Sequence, residues 1–332
     1  MARKYTHLIV CRICGLEAKF PSLAKEGVRF TQSNAYTSPL SMAGLSPRLR
    51  PVLYNASMEF GISTQIHRRQ PVTVDLLESI RKAGYERFEL FCNRPHLDFH
   101  DPGLLRTVGR WFQENALPAP SIHLPFLENV GPKQKIWISP LDPERRHREF
   151  ALDEIKRALE LAERVTPSYV VMHLGNPGDT FSPVAFDYAY TAISQIREFA
   201  GVRVMIENIP NEISTIERIQ EFRRAADVPD IGICYDTGHG HLQGVTKGLE
   251  YIHTTHVHDN HGEKDEHLWP FEGALDWPAL IEKLVVAKYQ GPFIFETRGG
   301  DPTKGADSRS RLRDLWDEAQ NSIEEFRLKY KL

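Results

Sequence analysis

The tetrad Asp236-Thr237-Gly238-His239 follows the apolar run Ile231-Gly232-Ile233-Cys234-Tyr235. A strand ending in Asp-x-x-His sets a carboxylate and an imidazole at one terminus, and these are donor types that hold a divalent metal ion. The same grammar recurs along the chain, with apolar runs ending in His123, His173, Glu207, His256 and Glu296. One polar strand end is a weak signal. Six metal-capable ends in one chain point to an assembled site. After His256-Val257-His258-Asp259-Asn260 a loop adds Asp265-x-His267, a further pair on one side of an extended segment. The candidate ligands are therefore His123, His173, Glu207, Asp236, His239, His256, Asp265, His267 and Glu296. One ion takes about four to six ligands, so either several metals bind or the surplus groups bind substrate.

The elements that must carry these groups follow a strand–helix beat. Strands are expected at about 59–64, 86–92, 119–124, 168–174, 202–208, 230–236, 251–258 and 292–297. Helical spacing of apolar residues fills the gaps, as in Asp75-Leu76-Leu77-Glu78-Ser79-Ile80 and from Phe150 to Ala162. Ser214-Thr215-Ile216-Glu217 opens another helix, and Trp277 to Val286 forms a further one. Eight strands alternating with helices predict an α/β fold of the (β/α)8 TIM barrel type, which builds its sites at the C-terminal strand ends. A doubly wound open sheet is the alternative, weakened because no Gly-rich phosphate fingerprint follows the first strand. Glu89 also falls near a strand end, where it either orients a ligand or pairs with Arg87 or Arg94. The barrel is expected over residues 58–332. Residues 1–57, rich in Ser, Pro, Leu and Arg, read as a loosely ordered or peripheral N-terminal extension, and Met58 is a candidate start in its own right.

Composition narrows the partners. A formal net charge of −3 is no general nucleic-acid signature. The run Arg145-Arg146-His147-Arg148 lies between Glu144 and Glu149 and reads as a solvated helix face. Four cysteines are too few for a disulfide framework at this size; Cys11-x-x-Cys14 has no second pair, and Cys92 and Cys234 read as core thiols. No apolar stretch approaches a membrane span, Arg12 interrupts the apolar N-terminal segment, and a cytoplasmic location is the default. His147, His241, His253, His258 and His261 read as ordinary core or surface histidines. Asp259 reads as support behind the site, and Glu272-Gly273 as a loop turn. For Glu207, Asp236, His256 and Glu296 the joint pattern outweighs that bland reading, because four polar groups converging without a partner would be costly.

From Met58 onward the chain resembles the xylose-isomerase-like barrel superfamily, which includes the sugar phosphate isomerase/epimerase group and endonuclease IV. The resemblance rests on Ile122-His123-Leu124-Pro125-Phe126, Met172-His173-Leu174-Gly175, Glu207-Asn208, Asp236-Thr237-Gly238-His239, His256-Val257-His258-Asp259-Asn260, Asp265-Glu266-His267, Phe271-Glu272-Gly273 and Phe295-Glu296. It implies one divalent ion (Mn, Mg, Co or Zn) held by Glu207, Asp236, His256 and Glu296. Glu207 and Glu296 would be the catalytic base and acid of a proton transfer through a metal-stabilised enediolate, with His239 on a substrate oxygen. His123, His173, His239, Asp265 and His267 would serve a second metal or the substrate. The substrate class implied is a small sugar or sugar phosphate, with no nucleic acid and no membrane. An Arg six residues after the seventh-strand His marks ketose 3-epimerases; that place is Gly262 here, which argues against that identity. The strand ends carry no Lys of the kind used for hydride shift. The competing reading is an endonuclease IV-like, zinc-dependent apurinic/apyrimidinic endonuclease, because all nine of its ligand types have counterparts among the candidates. A non-catalytic metal or sugar binder is a third reading. The loops 125–141, 175–182 and 259–276, with Phe126, Trp137, Trp269 and Phe271, carry no readable substrate code, and oligomeric state is left open.

Overall fold

The structure is a computed structural model that describes residues 58–129 and 135–330. The 1–57 extension, with its Cys11-x-x-Cys14, lies outside the described residues. Eight parallel strands close into a barrel: β1 (Phe60–Ser63), β2 (Arg87–Phe91), β3 (Ser121–His123), β6 (Tyr169–His173), β7 (Val204–Glu207), β8 (Gly232–Asp236), β9 (Thr254–Val257) and β10 (Phe293–Phe295). Going round the ring the order is β1-β10-β9-β8-β7-β6-β3-β2. Closure between β1 and β10, with Phe60 opposite Phe293, excludes the open doubly wound sheet. All eight expected strands are found at their expected places. A two-stranded antiparallel hairpin, β4 (Leu127–Asn129) and β5 (Lys135–Trp137), is inserted after β3.

Helices return the chain between strands: α1 (Val74–Lys82), α2 (Pro102–Glu114), α3 (Arg145–Leu159), the short α4 (Ala162–Val165), α5 (Pro183–Ala200), α6 (Ile216–Ala225), α7 (Thr237–Gln243), α8 (Trp277–Val286) and α9 (Gly305–Tyr330). Their starts are set locally. Thr73, Asp101, Thr215 and Asp276 sit at N-caps, and their side chains accept from backbone N–H groups of the first turn. Pro102 and Pro183 occupy the first helical turn, where a missing N–H costs nothing. The basic run Arg145–Arg148 forms the first turn of α3, where Arg145 pairs with Glu149 and His147 lies by Asp142 and Glu144.

The layer between barrel and helices is apolar and aromatic. Phe88 is fully buried and meets Trp111 and Phe112 of α2 edge-on at 5.5 and 5.6 Å. Inside the barrel Tyr169, Val171, Met205 and Cys234 fill the floor beneath the strand ends. Cys92 and Cys234 are buried thiols, as expected, and burial pushes both well above the ordinary thiol range. Among the described residues no helix is long and apolar enough to cross a membrane.

Two outcomes test this architecture. We propose that residues 58–332 fold without residues 1–57, because each barrel strand has both neighbours within that range. A chain starting at Met58 is expected to keep one cooperative melt; loss of that transition would contradict the proposal. Phe88→Ala removes a fully buried ring and is expected to destabilise the protein by about 3–5 kcal/mol in denaturant unfolding.

Candidate metal centre

Strand register brings the candidate groups together. His173 lies opposite Glu207 across β6 and β7, and Asp236 lies opposite His256 across β8 and β9. These residues, with His123 and Glu296, stand at or just beyond the C-terminal ends of their strands. Glu207, Asp236, His256 and Glu296 each offer a ligand atom within 4.8 Å of the others, and all four are buried. Four further groups among the described residues meet the same criterion, two of them re-using His256 with His123 and Glu296 or with Glu207 and Cys234. In the remaining two, His123 and His173 share Glu207, and His239, His258, Asp265 and His267 come together. All nine sequence candidates thus lie in these overlapping groups at one barrel mouth.

Local chemistry explains their aim. Asp236 caps α7 by accepting from the His239 N–H at 2.7 Å, so Asp-x-x-His turns both side chains toward the mouth. The intervening Gly238 is required: a Cβ there would lie 2.0 Å from His258 Cε1. Asn208, next to Glu207, accepts from the Asp236 N–H at 2.8 Å and tethers β8 to β7. His123 turns Nδ1 to the Leu124 carbonyl at 2.9 Å, leaving Nε2 at 3.2 Å from Glu207. His256 places Nδ1 at 3.0 Å from Glu207, and its Nε2 lies 3.1 Å from Glu89. Such far-side acceptors fix the tautomer of a metal-binding imidazole and raise its basicity.

Two readings from the sequence are corrected. Glu89 does not pair with Arg87 or Arg94: Arg87 pairs with Glu59, and Arg94 with Asp98 and Glu128. It is instead fully buried, accepting from Ser121 Oγ at 3.0 Å and holding His256. His258 is not an ordinary core histidine. Its Nε2 is 3.0 Å from Asp236 Oδ2, its ring stacks on His267 at 4.0 Å, and its Nδ1 is buried without a partner. The signal for His258 was its place two residues after His256, on the same side of the strand exit. His147, His241, His253 and His261 keep their ordinary roles in local pairs.

Asp259 organises the loop that delivers Asp265 and His267. Its carboxylate accepts from Trp277 Nε1 at 2.8 Å, Phe271 N at 3.0 Å and Leu275 N at 3.1 Å. Gly273 lets that packing close, since a Cβ would lie 2.4 Å from Asp259 Oδ1. Glu272 takes the Trp269 N–H at 3.2 Å, consistent with its expected role in the turn. His267 itself sits at φ 53°, a left-handed conformation uncommon outside glycine. It is held there by backbone bonds between Asp259 and Leu268, and its side chain lies 2.9 Å from Asp265 and 2.6 Å from the Glu296 carbonyl. Trp269 packs on Phe295 in the core, Phe126 stacks on His173 at 4.3 Å, and Trp137 is exposed.

The charges are interlocked. Burial alone would raise Glu207, but the charges of His256 and His173 and hydrogen bonds from His123 and His173 hold it well below the usual carboxylate range. Asp236 and Asp265 are lowered in the same way, against burial, by His239 with His258 and by His267 with His239. Glu296 goes the other way: burial, opposed by His256 and helped by Glu207, pushes it up to about 7. Burial lowers His173 and His267. His239 and His256 are raised well above the usual imidazole range, burial being outweighed at His239 by Asp236, Asp265 and Glu207 and at His256 by Cys234 with Glu89, Glu296 and Glu207.

Comparison with known proteins places this geometry in a family. The chain is 29% identical over 169 residues to the uncharacterized protein y4fM of Sinorhizobium fredii, 45% of this chain and 53% of that one, so it spans about half the length of that relative. It is 26% identical over 254 residues to a probable endonuclease 4 of Natronomonas pharaonis, covering 67% of this chain and 82% of that protein. The crystal structure of a D-tagatose 3-epimerase-like protein superposes with a TM-score of 0.62 at 22% identity, covering 79% of this chain and 99% of that one, a likeness of fold. The model of the xylose isomerase-like TIM barrel family matches residues 77–325, and the chain belongs to that family.

Proposed function

We propose that the protein is a divalent-metal-dependent isomerase or epimerase that moves a proton beside the carbonyl of a small sugar or sugar phosphate. The observation that carries this reading is the buried set of Glu207, Asp236, His256 and Glu296. Three carboxylates and one imidazole suit a hard or borderline ion such as Mn, Mg, Co or Zn, and Glu89 behind His256 is the support such a ligand needs. Bound there, the ion supplies Lewis-acid polarisation of a carbonyl and stabilises charge on its oxygen. Glu207 and Glu296 come from β7 and β10, three steps apart on the ring, so they approach the centre from different sides. One takes a proton from carbon and the other returns one, while His239 holds a substrate oxygen. A cytoplasmic setting belongs to the same reading.

A second reading is hydrolysis of a phosphodiester by an endonuclease IV-like zinc enzyme. It is favoured by the further ligand groups, which would hold additional ions, and by the Natronomonas relative's name. Against it, the chain carries a formal net charge of −3, whereas duplex binding draws much of its affinity from phosphate neutralisation.

The first test is isotopic. Metal-dependent exchange of a substrate C–H proton with deuterated water is expected, slowed about a hundred- to ten-thousand-fold by Glu207→Gln or Glu296→Gln. Incision of abasic duplex DNA with three zinc ions per chain, and no exchange on any sugar, would replace this reading with the second.

The second test uses proton linkage. The folded-state pKa of Glu296 is raised, so its stabilising contribution is lost as pH rises from its ordinary 4.5 through about 7. His239 and His256 are raised above 6.5, so theirs is lost on the alkaline side. Glu207, Asp236 and Asp265 are lowered, so theirs is present above their ordinary values and lost in acid. His173 and His267 are lowered, so theirs is gained as pH rises through 6.5, and at about pH 6 the protons held in the site are those on Glu296, His239 and His256. Zinc must displace those protons, so the increase in Tm on adding it is expected to be larger at about pH 8.

A further inference from the structure

Beside the metal-capable groups a second feature has no role in the site described above. A cavity of about 400 Å³ opens between the turn after β1 and the segment after β10. Its polar lining is His67, Arg68, Arg69, Gln70 and Arg298, with Gly299 and Gly300 beside them, and no carboxylate lines it. Arg68 and Arg69 are exposed and form no ion pair among the described residues. Arg298 is tied at one end, with Nη1 donating to the Asp265 carbonyl at 2.9 Å and Nη2 lying 3.3 Å from the Asp265 carboxylate. Its Nε is buried without a partner, as are both ring nitrogens of His67. Buried polar atoms left unpaired are expensive, and three guanidinium groups around one cavity repel one another. Arg68 is only partly covered, and that partial desolvation first, then the charges of Arg298 and Arg69, lower its pKa, partly offset by Asp265 and Glu296. Asp301 acts on His67 in the same offsetting sense.

The cavity adjoins the candidate centre. Arg298 touches Asp265, which lies 2.9 Å from His267. Gln65, on the same turn as His67, reaches His267 Nδ1 at 3.2 Å. A small molecule anchored in the cavity would therefore extend toward the metal-capable groups.

We propose that His67, Arg68, Arg69 and Arg298 form a binding site for the phosphate monoester group of a small sugar phosphate. The site deepens the isomerase reading and rests on it for the sugar end of the substrate. Guanidinium forks match phosphate oxygens in pairs, and the dianion relieves the repulsion among them. The cavity volume lies within the usual range for a small-molecule site.

The test uses the full-length, metal-free protein, so that binding of phosphate by a metal cannot contribute. Inorganic phosphate and ribose 5-phosphate are titrated by calorimetry, with ribose as the control. Both anions are expected to bind and ribose is not. Arg68→Ala/Arg69→Ala should weaken both by at least about tenfold while zinc content and Tm stay unchanged. Arg298→Lys keeps the charge but loses the fork, and should also weaken them. Absence of anion binding up to roughly 10 mM, or equal binding by wild type and the double variant, overturns the site. Proton exchange on unphosphorylated sugars would then leave the isomerase reading standing. Conversely, anion binding without exchange on any sugar phosphate keeps the site and removes the isomerase reading. If abasic DNA depends on Arg68 and Arg69 while ribose 5-phosphate does not compete, the ligand is a phosphodiester and the monoester proposal falls.

Discussion

The structure turns on one buried carboxylate. Glu207 is almost fully buried, yet four imidazoles stand within 3.0–3.3 Å of it: His123, His173, His239 and His256. An ion removed from water loses several kcal/mol of solvation even after the protein relaxes, and only close counter-charges and hydrogen bonds recover it. The neighbours of Glu207 are arranged to that end. His123 is braced by a backbone carbonyl, His256 by Glu89, and His239 by the Asn208 carbonyl at 3.0 Å.

The barrel makes such an arrangement affordable in precision as well as in energy. Parallel pairing sets His173 beside Glu207 and Asp236 beside His256 by strand register. The floor of Tyr169, Val171, Met205 and Cys234 holds those strand ends from below, where a close-packed layer resists displacement. The contribution from the 259–276 loop is different in kind. There the backbone accepts a left-handed residue at His267, and strain of this sort persists only where surrounding contacts over-determine it. Asp259 supplies those contacts through two backbone N–H groups of the loop and the Trp277 indole.

A shared barrel does not carry a shared reaction, since chemistry resides in the groups grafted onto the strand ends and loops. The centre here has more metal-capable groups than a single ion uses, and the cationic cavity beside it is built from the turns after β1 and β10. Those turns lie next to each other because β1 and β10 pair to close the ring.

Much of this was legible in the chain itself. Apolar runs with polar ends marked six of the eight strands, because a barrel strand buried on both sides reads as a short apolar segment until it reaches the mouth. Six of the nine candidate ligands were visible for the same reason, since ionisable residues rarely end such runs without a partner, and His239, Asp265 and His267 by their spacing in the segments that follow. What the sequence could not decide was which distant groups would meet. Glu89 and His256 are 167 positions apart, and nothing near Glu89 in the chain distinguishes a histidine partner from the arginines beside it. His258 looked like one more strand histidine until the α7 glycine allowed its ring to reach Asp236. The arginines of the cavity sit 229 positions apart at Arg69 and Arg298, and only ring closure makes them neighbours. Local sequence sets secondary structure through hydrogen-bonding and apolar periodicity. The pairing of charges is a property of the closed barrel, because an electrostatic contact depends on distance in space and on burial, and separation along the chain encodes neither.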